Sequence, residues 1–289
     1  MHERFEPLDA VELDRAVEAL RRGFADYLVP IPVDRRMLLH MLTHDGVDAS
    51  LSRLVCQGDV AIGCALVARR GWTSRLAGMA IVPEARGKGV GRRTMQTLLA
   101  QARERGDRRM VLEVIERNEP ALKLYESLGF TRVRRLVSLE RPASDASDEA
   151  GVAESNPLQE IDIQEVAHAV ARHGLPDLPW QLSAESLALS SPPTRAFRLG
   201  GAAVVVTDLR ANGVAILSLI VEQDTRGTGQ AQQLLRALFA AHTGKSWRVP
   251  ALCPEEAAGQ MLAMGFECAD LSQLQLALVF NLPTSEAET

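Results

Sequence analysis

The spacing of hydrophobic residues divides the first half of the chain into helices and strands. Apolar residues recur at helical intervals over 9–28 and 92–106, which predicts two amphipathic helices. A third helix is predicted over 118–130, because its pattern ends at Gly129. Strands are predicted where shorter apolar runs are bounded by glycine, proline or charge: two strands over 51–70, joined as a hairpin by the turn at 57–59, and single strands at 75–83, 108–116 and 131–140.

The second half repeats this order of elements. The stretch "ARGKGVGRR" at 85–93 returns as "TRGTGQAQQ" at 225–233. Strands are predicted around the second copy at 196–209, 213–222, 246–252 and 271–280. Between the halves, residues 142–157 are rich in serine, alanine and acidic residues, a composition that cannot form a core. We therefore predict a duplicated domain, with copies at 1–141 and 158–289 joined by a linker over 142–157.

Composition and charge limit the kinds of ligand and partner that the sequence is expected to have. Residues 1–140 carry 23 basic and 19 acidic side chains, whereas the rest carries 9 and 18. This small positive excess argues against a nucleic-acid partner and favours a small anionic ligand. No apolar run approaches the ~18 residues of a membrane span, and the first residues are charged, so we expect a cytoplasmic protein without a membrane partner. The four cysteines have no metal-ligand spacing and are expected to be reduced core residues.

The first glycine-rich stretch has the composition of an anion-binding turn. Gly87, Gly89 and Gly91 lie between a predicted strand and a predicted helix, with Arg86, Lys88, Arg92 and Arg93 among them. Glycine lets a ligand approach the backbone, and the free amides at a helix start favour negative charge. The pattern matches neither the P-loop nor the dinucleotide fingerprint. A diphosphate held in some other way is the predicted occupant.

Two motifs in sequence resemble the GNAT superfamily of N-acetyltransferases. "MAIVPEARGKGVGRRTMQTLL" is similar to its acetyl-CoA-binding motif, [QR]-x-x-G-x-[GA], and "LEVIERNEPALKLYESLGF" to the motif that follows it. The resemblance covers about 51–140 well and about 196–280 more weakly. It implies two tandem α/β domains, each a mixed, mostly antiparallel twisted sheet with helices on both faces. It also implies acetyl-CoA as co-substrate and no metal.

The resemblance implies roles for individual residues of the first copy. Met79, Ala80 and Ile81 would contact the pantetheine arm and the thioester. The diphosphate would lie on the turn and the start of its helix, held by Arg86, Gly87, Lys88, Gly89, Val90, Gly91 and Arg92.

A carboxylate, an amide and a phenol follow the turn in the pattern E-x4-N-x6-Y. These are Glu113, Asn118 and Tyr125, and the last two share a helix side because they are seven residues apart. By the resemblance, Tyr125 protonates the departing thiolate, Glu113 is the general base and Asn118 bonds the pantetheine arm. Plainer interpretations stay open for all three residues. Tyr125 could be a core aromatic, Glu113 a salt-bridged carboxylate with water as the base, and Asn118 a helix N-cap.

The acceptor amine is expected near the predicted helix end and the proline-rich loop after it. There Asp26, Tyr27 and Asp34 are candidates to meet a cationic amine of a small molecule or a peptide terminus, or are ordinary surface residues. His40 and His44 are four residues apart, but no third ligand is evident, so no metal site is expected. A homodimer is compatible with the sequence.

The second copy lacks the catalytic groups. Aligning the two Gly-Phe dipeptides places Val249, Pro254 and Met261 where the first copy has its carboxylate, amide and phenol. We therefore predict one catalytic acetyltransferase domain followed by a degenerate, non-catalytic one. The alternatives are an acyl-CoA sensor or scaffold without turnover, and activity in the second copy instead.

Overall fold

The computed structural model of the chain describes residues 3–143 and 158–280. These residues form two compact units. The first unit runs to Val133 and includes the chain from Leu274 onward, and the second unit runs from Arg134 to Gln273. Most of the predicted linker, 144–157, lies outside the described residues.

The first unit is built on a mixed sheet. Its elements are β1 (Glu3–Pro7), α1 (Leu13–Gly23), α2 (Arg35–Thr43), β2 (Arg53–Gln57), β3 (Val60–Arg70), β4 (Thr73–Ile81), α3 (Val90–Glu104), β5 (Arg109–Ile115), α4 (Glu119–Ser127) and the start of β6 (Thr131–Arg141). The strands follow the order β1-β2-β3-β4-β5, antiparallel except for the parallel pair β4–β5. Strand β1 was not expected from the hydrophobic pattern.

Helices cover both faces of this sheet. On one face, α3 and α4 bury Met95, Leu98 and Leu122 against Leu112 of β5. On the other face, α1 packs on β3 and β4. The predicted helix over 9–28 ends at Gly23, where a Cβ would lie 2.6 Å from the Cβ of Ala80. Only glycine allows α1 to approach β4 this closely.

The second unit repeats this architecture. Its elements are the rest of β6, β7 (Gln159–Ile161), α5 (Ile163–His173), α6 (Ala184–Ala188), β8 (Arg195–Leu199), β9 (Ala202–Val206), β10 (Gly213–Val221), α7 (Gln230–Ala241), β11 (Ser246–Pro254), α8 (Gly259–Leu262) and most of β12 (Glu267–Val279). Its strands follow the order β6-β11-β10-β9-β8-β7, and β10–β11 is again a parallel pair. The predicted α/β class with a tandem repeat is confirmed, although the strand predicted over 196–209 is a hairpin that turns at Gly200.

The last strand of each half completes the core of the other unit. Val137 and Leu139 of β6 lie in the hydrophobic core of the second unit. Leu274 and Leu276 of β12 lie in the core of the first. The compact units thus divide the chain differently from the predicted copies 1–141 and 158–289, because packing, and not chain order, assigns these two strands.

The cysteines and the helices bear on two further predictions. Cys56, Cys64 and Cys253 are free and buried, as expected of core residues, whereas Cys268 is exposed, so that prediction is wrong for Cys268. Cys268 lies at the start of β12, where Glu267 is exposed as well. Among the described residues, no helix combines the length and the apolar character needed to cross a membrane.

Candidate active site

A groove opens between β4 and β5 of the first unit. The two strands pair in parallel from Thr73 to Leu76 and from Arg109 to Leu112. Within the described part of the chain, this register ends there, while β4 stays paired with β3 on its other side as far as Ile81. Alternate backbone N–H and C=O groups of the later part of β4 therefore face the groove and are available to a ligand.

A β-bulge lies where β4 leaves β5. Leu76 and Gly78 pair with consecutive residues of β3, so Ala77 is an extra residue in β4. A bulge bends its strand and moves the following side chains to the opposite face. In the second unit, β10 has a bulge at the repeat-equivalent Leu217, next to the end of its register with β11. The same irregularity thus opens both sheets.

The residues predicted to contact the pantetheine arm lie along this open edge. Met79 and Ile81 are half-buried and share one face of β4. Ala80 is 3% exposed and points to the other face, against Gly23 at the end of α1. Side chains of Met79 and Ile81 also lie near the α3 residue Gly91, where a Cβ would be 3.9 Å from each of them. The edge of β4 and the start of α3 therefore border a common space.

The glycine-rich turn joins β4 to α3 in a conformation that requires glycine. Gly87 and Gly89 have φ angles of 72° and 76°, in the left-handed region. A Cβ on Gly87 would meet no atom within 4 Å, so backbone conformation, and not crowding, selects glycine there. Gly89 is the N-cap of α3, which begins at Val90. The first amides of α3 have no partner within the helix, as an anion site requires.

Arg86 ties the turn to the neighbouring elements. Its Nε donates to the carbonyl of Ile81 at 2.9 Å, and its Nη2 donates to the carbonyl of Gly23 at 2.8 Å. The guanidinium also forms a bidentate pair with Asp26, at 2.7 and 2.8 Å. This hydrogen-bonded pairing holds the pKa of Asp26 below its usual value. Two predicted site residues, Arg86 and Asp26, therefore bind each other.

The other basic side chains of the turn differ in their partners. Arg93 is paired with Glu3, its Nε lying 2.9 Å from Glu3 Oε2. Among the residues that the structure describes, Arg92 donates only to a neutral group, the Ser127 hydroxyl, at 2.9 Å. Lys88 is exposed, and within residues 3–143 and 158–280 no ion pair of its side chain is recorded. Lys88 and Arg92 thus leave their charge available to an anion at the turn.

Tyr27, Asn118 and Tyr125 meet beside β5. Asn118 caps α4, its Oδ1 accepting from Ala121 N at 3.3 Å, and its side chain also hydrogen-bonds Tyr27. Burial raises the pKa of Tyr27, against the opposing effect of this hydrogen bond. Tyr125 is 7% exposed, and its burial, with a smaller effect of Tyr27, raises its pKa above the ordinary value of a phenol. All three side chains are therefore uncharged hydrogen-bonding groups at neutral pH.

Glu113 lies on the opposite face of β5 from the core that holds Tyr125. Leu112 and Val114 belong to that core, and side chains alternate along a strand. Glu113 Oε2 accepts from Nε of Arg75 at 2.8 Å, and the two side chains are 3% and 6% exposed. Its Oε1 is buried and has no partner among the described residues. The hydrophobic pattern gives no sign of Arg75, because the partner comes from the neighbouring parallel strand.

In the segment between α1 and α2, Tyr27 and Asp34 were predicted to lie near the acceptor amine, and both already have partners within the protein. Tyr27 packs edge-on against Phe24, with ring centroids 5.1 Å apart. Asp34 is the N-cap of α2, its Oδ1 accepting from Met37 N at 2.7 Å. A side chain that caps a helix stabilises that helix, so Asp34 has a structural role.

The stacked pair His40 and His44 also lies on α2, with ring centroids 4.5 Å apart. In the described ranges, no group of three potential metal-ligating side chains occurs.

The second unit has a large cavity at its own strand opening. The cavity has a volume of about 610 Å³ and contains the open edge of β10 and the turn at Gly227 and Gly229. These two glycines have φ angles of 77° and 81°, so the turn conformation is retained. Pro254 and Met261, at the places of the amide and the phenol, line this cavity. The predicted alignment of Val249 with the carboxylate is wrong, because the registers of the two parallel pairs align Arg109 with Ser246 and therefore Glu113 with Pro250. The second unit thus keeps a cavity at its strand opening but lacks the carboxylate, the amide and the phenol.

Comparison with known proteins finds that the first unit is similar to acetyltransferases. Residues 16–130 match the acetyltransferase (GNAT) family. N-alpha-acetyltransferase 30 of Schizosaccharomyces pombe is 36% identical over 99 residues, which are 34% of this chain and 62% of that protein. Streptothricin acetyltransferase of Streptomyces lavendulae is 38% identical over 91 residues, 30% of this chain and 48% of that protein. The chain thus spans about half to three-fifths of the length of these relatives.

The duplication also has a counterpart among solved structures. A tandem GNAT protein from the clavulanic acid biosynthesis pathway superposes with a TM-score of 0.63 at 15% identity. The superposition covers 96% of this chain and 98% of that one. Similarity at this level of identity shows a common fold along the whole chain.

Proposed function

We propose that the first unit, whose residues 16–130 match the acetyltransferase (GNAT) family, is an acetyl-CoA-dependent N-acetyltransferase. The acceptor is a primary amine of a small molecule or a peptide N-terminus, which attacks the thioester directly. The observation that carries the proposal is the meeting of Tyr27, Asn118 and Tyr125 beside a strand opening and a glycine turn. A protein that only binds acetyl-CoA has no need of these groups.

The glycine-rich turn suits the diphosphate of acetyl-CoA, and the open edge of β4 suits its pantetheine arm. The amides after Gly87 and Gly89, with Lys88 and Arg92, bind a diphosphate. The open edge of β4 near Met79 offers backbone groups to an amide-bearing arm such as pantetheine. Acetyl-CoA supplies the activated acetyl group. A backbone N–H near Met79, directed at the carbonyl oxygen, would stabilise negative charge on it by about 3 kcal/mol.

Tyr125 is the proposed proton donor to the departing thiolate. Its raised pKa keeps the phenol protonated across the neutral range, as a general acid requires. Asn118 hydrogen-bonds Tyr27 and caps α4, so it orders the surroundings of Tyr125 in addition to its proposed contact with the arm.

Glu113 is the proposed base, acting through a water molecule. Its Oε1 is buried without a protein partner, whereas Arg75 holds the other oxygen. A carboxylate with one engaged and one unengaged oxygen has a fixed orientation and a remaining acceptor site. A water bound there would take the proton of the attacking amine and pass one of its own protons to the Glu113 carboxylate.

The proposed acceptor class and the proposed lack of catalysis in the second unit rest on different observations. One relative is named an N-alpha-acetyltransferase and the other a streptothricin acetyltransferase, which supports an amine acceptor here. The second unit has Pro250, Pro254 and Met261 at the places of the three chemical groups, so we assign catalysis to the first unit alone. Tyr27 and Asp26 lie at the proposed acceptor side, with Asp26 acting through Arg86.

The decisive experiment is acetyl transfer by the full chain. Acetyl-CoA is incubated with the protein and a panel of amines, including polyamines, amino acids, aminoglycosides and short peptides, and thiol release is followed with a thiol reagent. Amine-dependent thiol release that is lost in Tyr125→Phe supports the proposal. Tight acetyl-CoA binding without thiol release for any amine would contradict it.

A further inference from the structure

Arginines are concentrated around an exposed tryptophan at one end of the sheet of the first unit. The turn between β3 and β4 and the connection between α3 and β5 form this end, and residues 69–74 and 103–109 are called the arginine patch below. We propose that the arginine patch binds a single-stranded nucleic acid, with phosphates on the arginines and a base stacked on Trp72. This inference goes beyond the proposed acetyl transfer and does not depend on it.

Hydrogen bonds hold the two segments of the arginine patch together. The carbonyl of Trp72 accepts from the amide of Arg108 at 2.7 Å. Asp107 is fully buried, and its carboxylate accepts from Arg69 Nε at 2.7 Å and from Arg105 Nη2 at 3.0 Å. Because these bonds join residues from both segments, the arginines and the tryptophan are held on one surface before any ligand binds.

The arginine patch has a local excess of positive charge. Its two segments contain two acidic residues, Glu104 and Asp107, and six arginines. The arginines are Arg69, Arg70, Arg103, Arg105, Arg108 and Arg109. This excess equals that of the whole stretch 1–140, so basic and acidic residues balance in the rest of that stretch, and the charge count predicted no nucleic-acid partner. A polyanion is attracted by a local concentration of charge, which an average over half of the chain does not show.

Part of this positive charge is not neutralised within the protein. Arg69 and Arg105 share the single carboxylate of Asp107, and their side chains remain 32% and 23% exposed. Arg103 and Arg108 are exposed, and among the residues that the structure describes neither forms an ion pair. Such guanidinium groups favour the binding of a nucleic acid, because each contact with a phosphate releases counterions from the strand.

Trp72 adds an aromatic surface next to these charges. It is 54% exposed, whereas most tryptophans are largely buried. The guanidinium of Arg108 lies 5.3 Å from the centroid of the Trp72 ring, and a Cβ on Gly106 would lie 3.7 Å from the ring. These contacts hold the indole at the surface, where an unpaired base can stack on it.

The surroundings of Trp72 favour a nucleic acid over a membrane as the partner. Among the residues of the arginine patch, all of which the structure describes, Trp72 alone is large, apolar and exposed. A membrane-binding surface needs a larger apolar area to insert between lipids. One aromatic ring among guanidinium groups instead matches the stacked base and the charged backbone of a single strand.

The arginine patch and the groove lie at opposite ends of the parallel pair β4–β5. The pairing begins at Thr73 and Arg109, in the patch, and ends at Leu76 and Leu112, where the groove opens. From Thr73 to Met79, β4 advances about 20 Å at roughly 3.3 Å per residue. A strand bound to the patch therefore leaves the groove open, so variants of the patch should not change acetyl transfer.

The test measures binding of labelled oligonucleotides to the full chain by fluorescence anisotropy at several salt concentrations. The probes are single strands of about 20 thymidines or 20 uridines and a DNA duplex of the same length, which fits the site sizes of single-strand binders. Tryptophan emission is recorded in parallel. Trp72 is exposed whereas Trp180 and Trp247 are buried, so quenching by a bound strand reports on Trp72.

We expect a single strand to bind more tightly than the duplex and to quench tryptophan emission, because only unpaired bases can stack on Trp72. Binding of either single strand supports the proposal, and the tighter of the two identifies DNA or RNA as the source. A duplex bound as tightly as the single strands, or no binding of any probe at low salt, would overturn it. Binding to phosphatidylserine vesicles or to polyglutamate without binding to the single strands would also overturn it, in favour of a membrane or an acidic protein.

A pair of double variants checks that the charge acts in the arginine patch. Arg103→Gln/Arg108→Gln should weaken single-strand binding by tenfold or more and reduce the slope of log Kd against log salt by about 1.4, as expected for two phosphate contacts. The matched control is Arg21→Gln/Arg132→Gln, which removes the same charge from exposed side chains outside the patch. An equal loss of affinity in both double variants would contradict the assigned location, since net charge alone would then explain binding.

Trp72→Ala checks the stacked base. It should weaken single-strand binding by about tenfold and abolish the quenching, with the salt slope unchanged, whereas Trp72→Phe should keep part of the affinity. Wild-type affinity in Trp72→Ala would contradict the stacking. Denaturant unfolding shows that each variant is folded, and acetyl transfer should equal that of the wild type in all of them, so the outcome is independent of the proposed function.

Discussion

Arg75 Nε lies 2.8 Å from Glu113 Oε2, and both side chains are almost completely buried. The pair joins the parallel strands β4 and β5 next to the point where they separate. A buried ion pair adds little net stability compared with apolar residues, but removing one partner leaves an uncompensated charge. Glu113 therefore has a structural role that any test of its catalytic role must control.

Glu113→Gln should lower the free energy of unfolding by about 3 kcal/mol, because Arg75 would stay buried without a counter-charge. Arg75→Met/Glu113→Leu should recover most of this loss, since neither side chain is then charged. Denaturant unfolding measures both effects. A double variant no more stable than Glu113→Gln would show that the pair itself stabilises the sheet.

The same two variants separate the proposed base from its structural role. Both lack the carboxylate, so both should lose its contribution as a base, which should lower kcat by roughly tenfold to a hundredfold. The measurement is the pH profile of kcat at saturating acetyl-CoA. A wild-type profile in the stable double variant would leave water as the base without help from Glu113.

Tyr125→Phe should reduce kcat by about a hundredfold or more and leave the Kd of acetyl-CoA nearly unchanged, as loss of a general acid does. Because burial raises the pKa of Tyr125, the wild-type enzyme should show no loss of activity from its ionisation up to about pH 10. Tyr27→Phe is the matched control, because it removes a neighbouring phenol. An equal loss of kcat in both variants would show that neither phenol alone donates the proton to the thiolate.

Asp26→Asn tests whether Asp26 acts through Arg86 or contacts the amine. If Asp26 acts through Arg86, the KM for acetyl-CoA should rise several-fold because the guanidinium that ties the turn to β4 and α1 loses its bidentate partner. The KM for the amine should stay the same. A selective rise in the KM for the amine would instead assign Asp26 to the acceptor site.

The pH dependence of this pair has a definite sign. The pKa of Asp26 is lowered, so the charged pair is complete above the usual pKa of an aspartate and is lost only as pH falls through the lowered value. The KM for acetyl-CoA should therefore show no Asp26-dependent change between pH 5 and about pH 8. A rise in KM as pH falls from 7 to 5, absent in Asp26→Asn, would contradict this expectation.

Leu276→Ala should destabilise the first unit although it lies near the other end of the sequence. Leu276 is fully buried in the core that contains Tyr125, and truncating such a leucine costs about 2–5 kcal/mol. Val279→Ala, in the same strand at 69% exposure, is the control and should change stability little. Denaturant unfolding followed by Trp72, which lies in the first unit, measures the difference.

The exchanged strands also bear on fragments of the chain. A fragment ending at residue 141 would lack Leu274 and Leu276, so it should show low solubility or weakened acetyl-CoA binding compared with the full chain. Adding a peptide that spans 267–280 should restore part of the binding. A fragment 1–141 as stable as the full chain would show that β6 can take the place of β12.

The strength of the sequence analysis lies in its local patterns. The glycine turn, its position between β4 and α3, and the N-cap at Asn118 are each encoded within a few residues, because backbone conformation and helix capping are local. The repeat followed from comparing one half of the chain with the other. The hairpin at Gly200 was missed because the glycine pair looked like part of one apolar run.

Local sequence patterns did not predict the partners of the site residues. The binding of Asp26 to Arg86 joins residues 60 positions apart, and the pairing of Arg75 with Glu113 requires the register of two parallel strands. Likewise, the bulge at Ala77 appears only once β4 is aligned with β3.

The sequence by itself determined the fold class, the tandem repeat and the loss of polar groups from the second copy. These depend on residue identity and on short-range spacing, which a chain displays before it folds. The tertiary structure decided which strand completes which core, which charges of the turn are already paired, and that the second unit keeps a large cavity. Such properties arise from contacts between residues far apart in the chain, and many pairings are compatible with the same hydrophobic pattern until packing selects one.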